Sequence, residues 1–444
     1  MDSIFKNTVW QIAEKSLRMG GGLLMSVLTA QYLGPEGFGL LNYTFAFATF
    51  FHVVTSLGME ASLVKQILEQ EHLSRRILGS AIFLRVFVAI LMLVLALGLI
   101  SFLEPVRQQV WLMTGLLGLA FIFQAAETVE YLFQARQSMG KSSLARLLAF
   151  LISVIFRSWL IFSGKSVVWF ASSLLLEAGI SSLAFLILLK RSGLGMPVFF
   201  PLNREITRRI SIAGLPMVFS SMVWYLYSRV DQVMIGQFLG DAQSGFFSVS
   251  TRIVEVFIFL PSALSASLLP SLIQSQANGQ LAFLKEVQNL FDVVFLLGLL
   301  VCVFLVVFAP WLIRYSFGAS YLPASEALAI QGFVCLFTFL GNASQQVFIA
   351  KGLTRLLLIR NICGAVLNIC LNVIWIPAYG IAGACYATLL STFAVNVLAN
   401  LMLEDSRPIF YQQLTSVLNL FTGKTFSFLF KRLKPVLEKL NGKL

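Results

Sequence analysis

Charge is what this chain lacks. Only 12% of its 444 residues are charged, against about 25% in an ordinary soluble chain. Hydrophobic residues make up 58% and the mean hydropathy is +0.85. So few charges cannot cover the surface of a soluble domain, and the composition excludes one in favour of a membrane protein. Two histidines, His52 and His72, are too few for a histidine metal site. The five cysteines (Cys302, Cys335, Cys363, Cys370 and Cys385) form no CxxC pair and fall mostly in apolar runs, where they read as small buried hydrophobes. The outer connectors are short and carry no nucleophile–base or paired-metal constellation, so no enzyme and no metal or other cofactor is expected. A removable leader is not expected either, because Glu14, Lys15 and Arg18 interrupt the first apolar stretch and more spans follow.

Long apolar runs are abundant. A membrane crossing needs about 20 mostly apolar residues, and on that basis twelve spans are expected, near 9–33, 38–64, 78–103, 109–135, 143–163, 166–190, 208–237, 245–273, 288–312, 324–350, 356–376 and 380–403. An even number puts both termini on one side. The connectors on that side hold Lys65, Arg75, Arg76, Arg136, Lys141, Arg146, Lys190, Arg191, Arg204, Arg208, Arg209, Lys285, Lys351, Arg355 and Arg360; the opposite ones hold only Arg107, Lys165 and Arg314. The positive-inside rule then makes both termini cytoplasmic. A net charge of +12 would suggest nucleic acid in a soluble chain, but here it lies mostly in these short connectors and implies no nucleic-acid partner.

Several arginines lie within or near the spans: Arg18, Arg85, Arg157, Arg229 and Arg252. An ionisable group at such depth costs roughly 2.5–3.5 kcal/mol on insertion scales and normally faces a protein interior or a watery cavity. Several of one sign point to a large anionic cargo in a central cavity. For Arg252, with Glu255 three residues on, and Arg18, with Glu14 four residues back, an ion pair along one helix face is an equal alternative. Arg157 has no acidic neighbour within a turn. Asn361, Asn368 and Asn372 share one helix face, Asn342, Gln345 and Gln346 lie in the tenth span, and Asn396 and Asn400 in the twelfth; such amides suit a sugar, or equally the bonding of helix to helix. Gly20, Gly21 and Gly22 permit a bend beside Arg18, and Pro216, Pro261 and Pro270 are expected to kink two helices.

The chain also repeats itself. Gln31-Tyr32-Leu33-Gly34 recurs as Gln237-Phe238-Leu239-Gly240, with Gly39 and Gly245 five residues after each second glycine. Phe133-Gln134-Ala135-Arg136 recurs as Phe348-Ile349-Ala350-Lys351. Six spans separate the partners, so the halves are expected to be parallel repeats with a substrate site between them. The fold expected is therefore all-α: twelve transmembrane helices in two six-helix bundles, 1–202 and 203–403, around a central cavity. A basic tail, 404–444, follows as one or two amphipathic helices on the anionic inner leaflet; IFYQQLTSVLNLF (409–421) is too short to cross unaided.

The segment QYLGPEGFGLLNYTFAF (31–47), after a polar first span with a glycine cluster, resembles the start of the Wzx-like polysaccharide-biosynthesis flippases, a branch of the multidrug/oligosaccharidyl-lipid/polysaccharide exporter superfamily. The motif rests on Gly34, Pro35, Phe38 and Gly39 with the early basic residues. The resemblance implies translocation of a polyprenyl-diphosphate-linked oligosaccharide from the cytoplasmic to the outer leaflet of the cell (inner) membrane, by alternating access of a cationic central cavity. It leaves room for other polysaccharide-assembly proteins as partners; a monomer is expected. Arg gives a diphosphate the planar fork that Lys does not, so Arg18 and Arg157, then Arg85, Arg252 and Arg229, are the diphosphate candidates. Asn342, Gln345, Asn361, Asn368 and Asn372 are the sugar candidates. A cycle coupled to protons or sodium would use Glu127, Glu130, Asp231 or Glu177. The competing readings are a cation-coupled drug or metabolite antiporter of the same superfamily, a flippase for the peptidoglycan lipid precursor (which would add two C-terminal spans), a membrane-embedded glycan polymerase and a passive scaffold.

Overall fold

The computed structural model describes residues 2–192, 197, 204–402, 404–423 and 425. Among these every regular element is a helix. The α-helices are α1 (Asp2–Thr55), α2 (Glu60–Glu69), α3 (Ser74–Leu103), α4 (Gln108–Gln124), α5 (Glu130–Ala135), α6 (Met139–Phe162), α7 (Val167–Arg191), α8 (Arg204–Leu239), α9 (Asp241–Ala277), α10 (Gln280–Ser316), α11 (Ala324–Ala350), α12 (Thr354–Asn396) and α13 (Arg407–Phe421). A 3-10 segment, Ala125–Val129, joins α4 to α5.

Among the described residues ten helical segments are long and apolar enough to cross a membrane, and two of them are broken at a glycine, which makes the twelve expected crossings. In α1 the break is Gly34 (φ 68°, ψ 177°), followed by Pro35; proline lacks an N–H and disfavours the helical conformation in the residue before it. In α12 it is Gly380 (φ 62°, ψ −140°), three residues after Pro377. By contrast, α8 runs on through Pro216 and α9 through Pro261 and Pro270, and α1 continues through Gly20–Gly22. The prolines expected to interrupt helices therefore do not end them.

The repeat is visible in the backbone. Left-handed conformations occur at Gly34 and Gly240, at Gly58 and Gly279, at Gln137 and Gly352, and at Gly164 and Gly380. Each pair sits in the same connection of the two halves. Glycine holds such a φ without steric cost, whereas a residue with a Cβ pays for it. The halves therefore share their turn chemistry even where their side chains have diverged.

The packing forms two compact units, 1–245 and 246–444. The expected boundary at 202/203 falls outside the described residues, and the first unit extends past it to include α8. There Tyr225 donates to the Ala46 carbonyl at 2.7 Å. A Cβ on Gly214 would strike the Leu57 carbonyl, and one on Gly39 the Asp241 carbonyl. Two apolar clusters fill this unit, one around Leu63, Ile77, Phe133 and Phe185, the other around Tyr43, Met113, Leu117 and Phe121.

In the second unit α11 packs between α10 and α12, and α13 lies along the start of α10. Gln412 donates to the Leu284 carbonyl (2.8 Å), Gln288 to Ser416 Oγ (3.0 Å) and Asn419 to Asp292 (3.0 Å), so the two helices run parallel. Gln413 is buried and donates to Ser344 Oγ and the Asn396 carbonyl, both at 3.0 Å. Residues 409–421 thus dock on helices of this unit through amides. Lys424, Lys431, Arg432, Lys434, Lys439 and Lys443 lie outside the described residues. Cys302, Cys335 and Cys385 are buried as expected, but Cys363 and Cys370 are exposed on α12.

Candidate functional site

Three helix faces in the first unit carry charge inward. On α1 they are Glu14 and Arg18, four apart. On α6, Arg146, Phe150, Ser153 and Arg157 follow one stripe. On α7, Ser173, Glu177 and Ser181 recur every fourth residue, which keeps them on one face. Where these faces meet, acids and arginines alternate in one connected row. Glu130 pairs with Arg146, which also grips Glu14 through two hydrogen bonds of 3.1 and 3.0 Å. Glu14 lies 3.6 Å from Arg18, which donates to Glu177 at 3.0 Å. The other Glu177 oxygen is 3.8 Å from Arg157, whose Nε donates to Ser173 Oγ at 2.8 Å.

The row has three carboxylates and three guanidiniums. It runs about 16 Å along the bundle, judged from the eleven-residue step from Arg146 to Arg157. Glu14 is 4% exposed and Arg18 36%, so the row is anchored at one member and open at its neighbour. A cavity of about 430 Å³ adjoins it, lined by Glu14, Lys15, Arg18, Glu60, Glu130, Tyr131 and Arg146. That volume is in the range of small-ligand sites.

The other candidates lie elsewhere. Arg85 is buried and donates to the Thr55 carbonyl (3.3 Å) and Thr128 Oγ1 (3.0 Å), which ties α3 to the end of α1 and to the 3-10 segment. Glu127 accepts from Ser181 at 3.2 Å. Arg252 pairs with Glu255 at 3.1 Å along its own helix, the alternative that the spacing offered. Arg229 is half-buried on α8, two residues before the buried Asp231. Asn368 and Asn372 are fully buried; Asn372 donates to Asn368 (3.0 Å) and Asn368 to Thr388 (3.3 Å), so they join the two limbs of α12. Asn342 and Asn361 are half-buried and Gln345 is exposed.

Sequence spacing left Arg157 without an acid because its partner, Glu177, comes from the next helix. It also placed Arg146 among connector residues, whereas α6 begins at Met139 and carries Arg146 two turns in. The serine–glutamate–serine spacing of α7 was the available signal for Ser173 and Ser181.

A second polar cluster stands where α3 ends and α4 begins. Arg107 pairs with Asp241 and lies 3.4 Å from Glu104; Gln237 donates to Glu104 at 3.0 Å and to the Tyr43 hydroxyl. The hydrogen bond to Asp241 raises the Arg107 pKa above its ordinary value, against the opposing loss of solvation.

Comparison with known proteins places this architecture. Residues 4–276 match the family model described as polysaccharide biosynthesis protein. The chain belongs to that family. A second model, MatE, matches residues 216–374 of this family member. An uncharacterized membrane protein of Methanocaldococcus jannaschii is 24% identical over 431 residues, covering 88% of this chain and 96% of its own. A probable low-salt glycan biosynthesis flippase of Haloferax volcanii is 31% identical over 185 residues, 40% of this chain and 38% of its own. Among solved structures, the lipid II flippase MurJ in an inward closed conformation superposes with a TM-score of 0.73 at 17% identity, over 97% of this polysaccharide biosynthesis protein and 96% of MurJ. At that identity the likeness shows a shared fold.

Proposed function

We propose that this membrane protein is a flippase that carries a polyprenyl-diphosphate-linked oligosaccharide from the cytoplasmic to the outer leaflet by alternating access. The observation that carries the reading is the convergence of Arg18 and Arg157, from α1 and α6, on one oxyanion, the Glu177 carboxylate. Two guanidiniums set to share an oxyanion suit a diphosphate, and forked donors favour it further. The glycan-flippase relative supports the lipid-linked cargo. Both termini are then cytoplasmic, as the connector charges direct, in the cell (inner) membrane. The chain works as a monomer driven by a proton or sodium gradient. Asn342, Asn361 and Gln345, which are not buried, are the amides this reading assigns to the sugar.

A second reading, a cation-coupled antiporter, draws on the MatE match and on a row that holds as many carboxylates as arginines. The deciding measurement is leaflet-specific accessibility of a fluorescent polyprenyl-diphosphate sugar in proteoliposomes, for wild type, Arg157→Ala and Arg157→Lys. Translocation by wild type, with strong loss in both variants while they remain folded, supports the flippase. Exchange of organic cations for protons or sodium, with no movement of the lipid, supports the antiporter.

A further inference from the structure

Glu177 occupies the place that the flippase reading gives to the cargo. Its carboxylate lies between two guanidiniums on two other helices, one on each oxygen, and it is 13% exposed while Arg18 is 36% exposed and Arg157 24%. Each arginine also has a partner that does not depend on Glu177. Arg18 is 3.6 Å from Glu14 and stands over the Phe150 ring at 5.7 Å, and Arg157 Nε is held by Ser173 Oγ. Taking Glu177 away would therefore leave both guanidiniums positioned and would open the oxyanion position that they share.

Resting on the flippase reading, we infer that Glu177 is a resident anion that the cargo's diphosphate displaces from Arg18 and Arg157, and that returns to expel the diphosphate at release. The physical reason is symmetry of cost. Without Glu177, a departing diphosphate would leave the two partly buried guanidiniums with one carboxylate fewer than they have now, and charge that loses its counter-charge in such a place is unfavourable. A carboxylate one helix away exchanges one anion for another, so that loading and unloading are close in free energy. Glu177 thereby sets how tightly the carrier holds its cargo. It differs from Glu14, which is buried and gripped from two sides by Arg146 and so stays in place.

The test uses the full chain in lipid nanodiscs with geranylgeranyl diphosphate as the probe and geranylgeraniol as the phosphate-free control, read by calorimetry. Glu177→Gln is expected to bind the diphosphate about tenfold tighter than wild type, which corresponds to about 1.4 kcal/mol, and to release it more slowly. Glu177→Asp, whose carboxylate is drawn back by one methylene, should fall between the two; it keeps the charge and guards against a folding defect in the Gln variant. If wild type binds the diphosphate through Arg18 and Arg157 but both Glu177 variants bind it equally or more weakly, Glu177 only orients the arginines, and the exchange fails while the flippase reading stands. If neither wild type nor Glu177→Gln binds the diphosphate better than the alcohol, the flippase reading fails and the exchange with it.

Discussion

Gly39→Ala is the substitution whose consequence follows most directly from geometry. The second limb of α1 and the first turns of α9 cross with their backbones in contact. A Cβ at Gly39 would collide with the Asp241 carbonyl and lie 2.6 Å from the Gly245 nitrogen; a Cβ at Gly245 would collide with the Pro35 carbonyl. Ser244 Oγ bonds across the crossing to the Gly39 carbonyl at 3.3 Å. Small residues permit such approaches in membrane helices. Ordinary contact distances are about 3.5–4 Å, so one methyl group forces the helices apart by on the order of 1–2 Å. No side chain can rotate out of the way, which puts the cost near the top of the overpacking range, about 3 kcal/mol. Unfolding of the detergent-solubilised chain by increasing SDS measures it. Gly115→Ala in α4 is the control: a Cβ there meets nothing within 4 Å, so the better helix former should stabilise by up to about 1 kcal/mol. Because either glycine change opens the same crossing, Gly39→Ala with Gly245→Ala should cost clearly less than the two singly. A Gly39→Ala protein as stable as wild type would refute the backbone contact.

Other substitutions read other contacts. Gln137 holds a φ of 50° where the second repeat has Gly352, so Gln137→Gly should raise stability by about 0.5–1 kcal/mol in the same unfolding assay. Arg146→Gln removes the cation paired with Glu130 and leaves the buried Glu14 only Arg18, 3.6 Å away, so it should cost about 3 kcal/mol, the low end for breaking a buried pair; adding Glu14→Gln should recover part of it. Arg107→Gln should cost about 1–2 kcal/mol, since the pair with Asp241 is only partly exposed, at 32% and 22%. Because the folded pKa of Arg107 is raised, its contribution is complete below the ordinary arginine value and is lost only as pH rises through the folded value. Titrating from about pH 7 to 10 should therefore not remove it, and a wild-type advantage that vanished over that window would contradict the assignment.

The number of crossings was legible because apolar runs of membrane length are hard to mistake, and the glycine pairs 34/240 and 39/245 marked where the halves correspond. Helix ends were less legible. Hydropathy falls at the first polar cluster, while α8, α9 and α10 continue for 36, 37 and 37 residues, because backbone hydrogen bonding persists where apolarity stops. Within a helix, pairs such as Arg252–Glu255 follow from spacing. Between helices they do not: nothing near Arg157 in sequence announces Glu177, and nothing near residue 412 announces that its amide will bond the start of α10. Deep prolines did not mark helix ends, since a helix flanked by others can run through one.

Three carboxylates and three guanidiniums in a single row sum to no charge. Carrying one elementary charge through 100 mV is worth about 2.3 kcal/mol, but a balanced row that shifts as a body does no electrical work on the membrane field. A shift of the row is therefore silent in an electrical recording, and voltage has no handle on it. On the flippase reading, any current measured from the reconstituted protein would report the charge that crosses with the cargo and not the row that handles it.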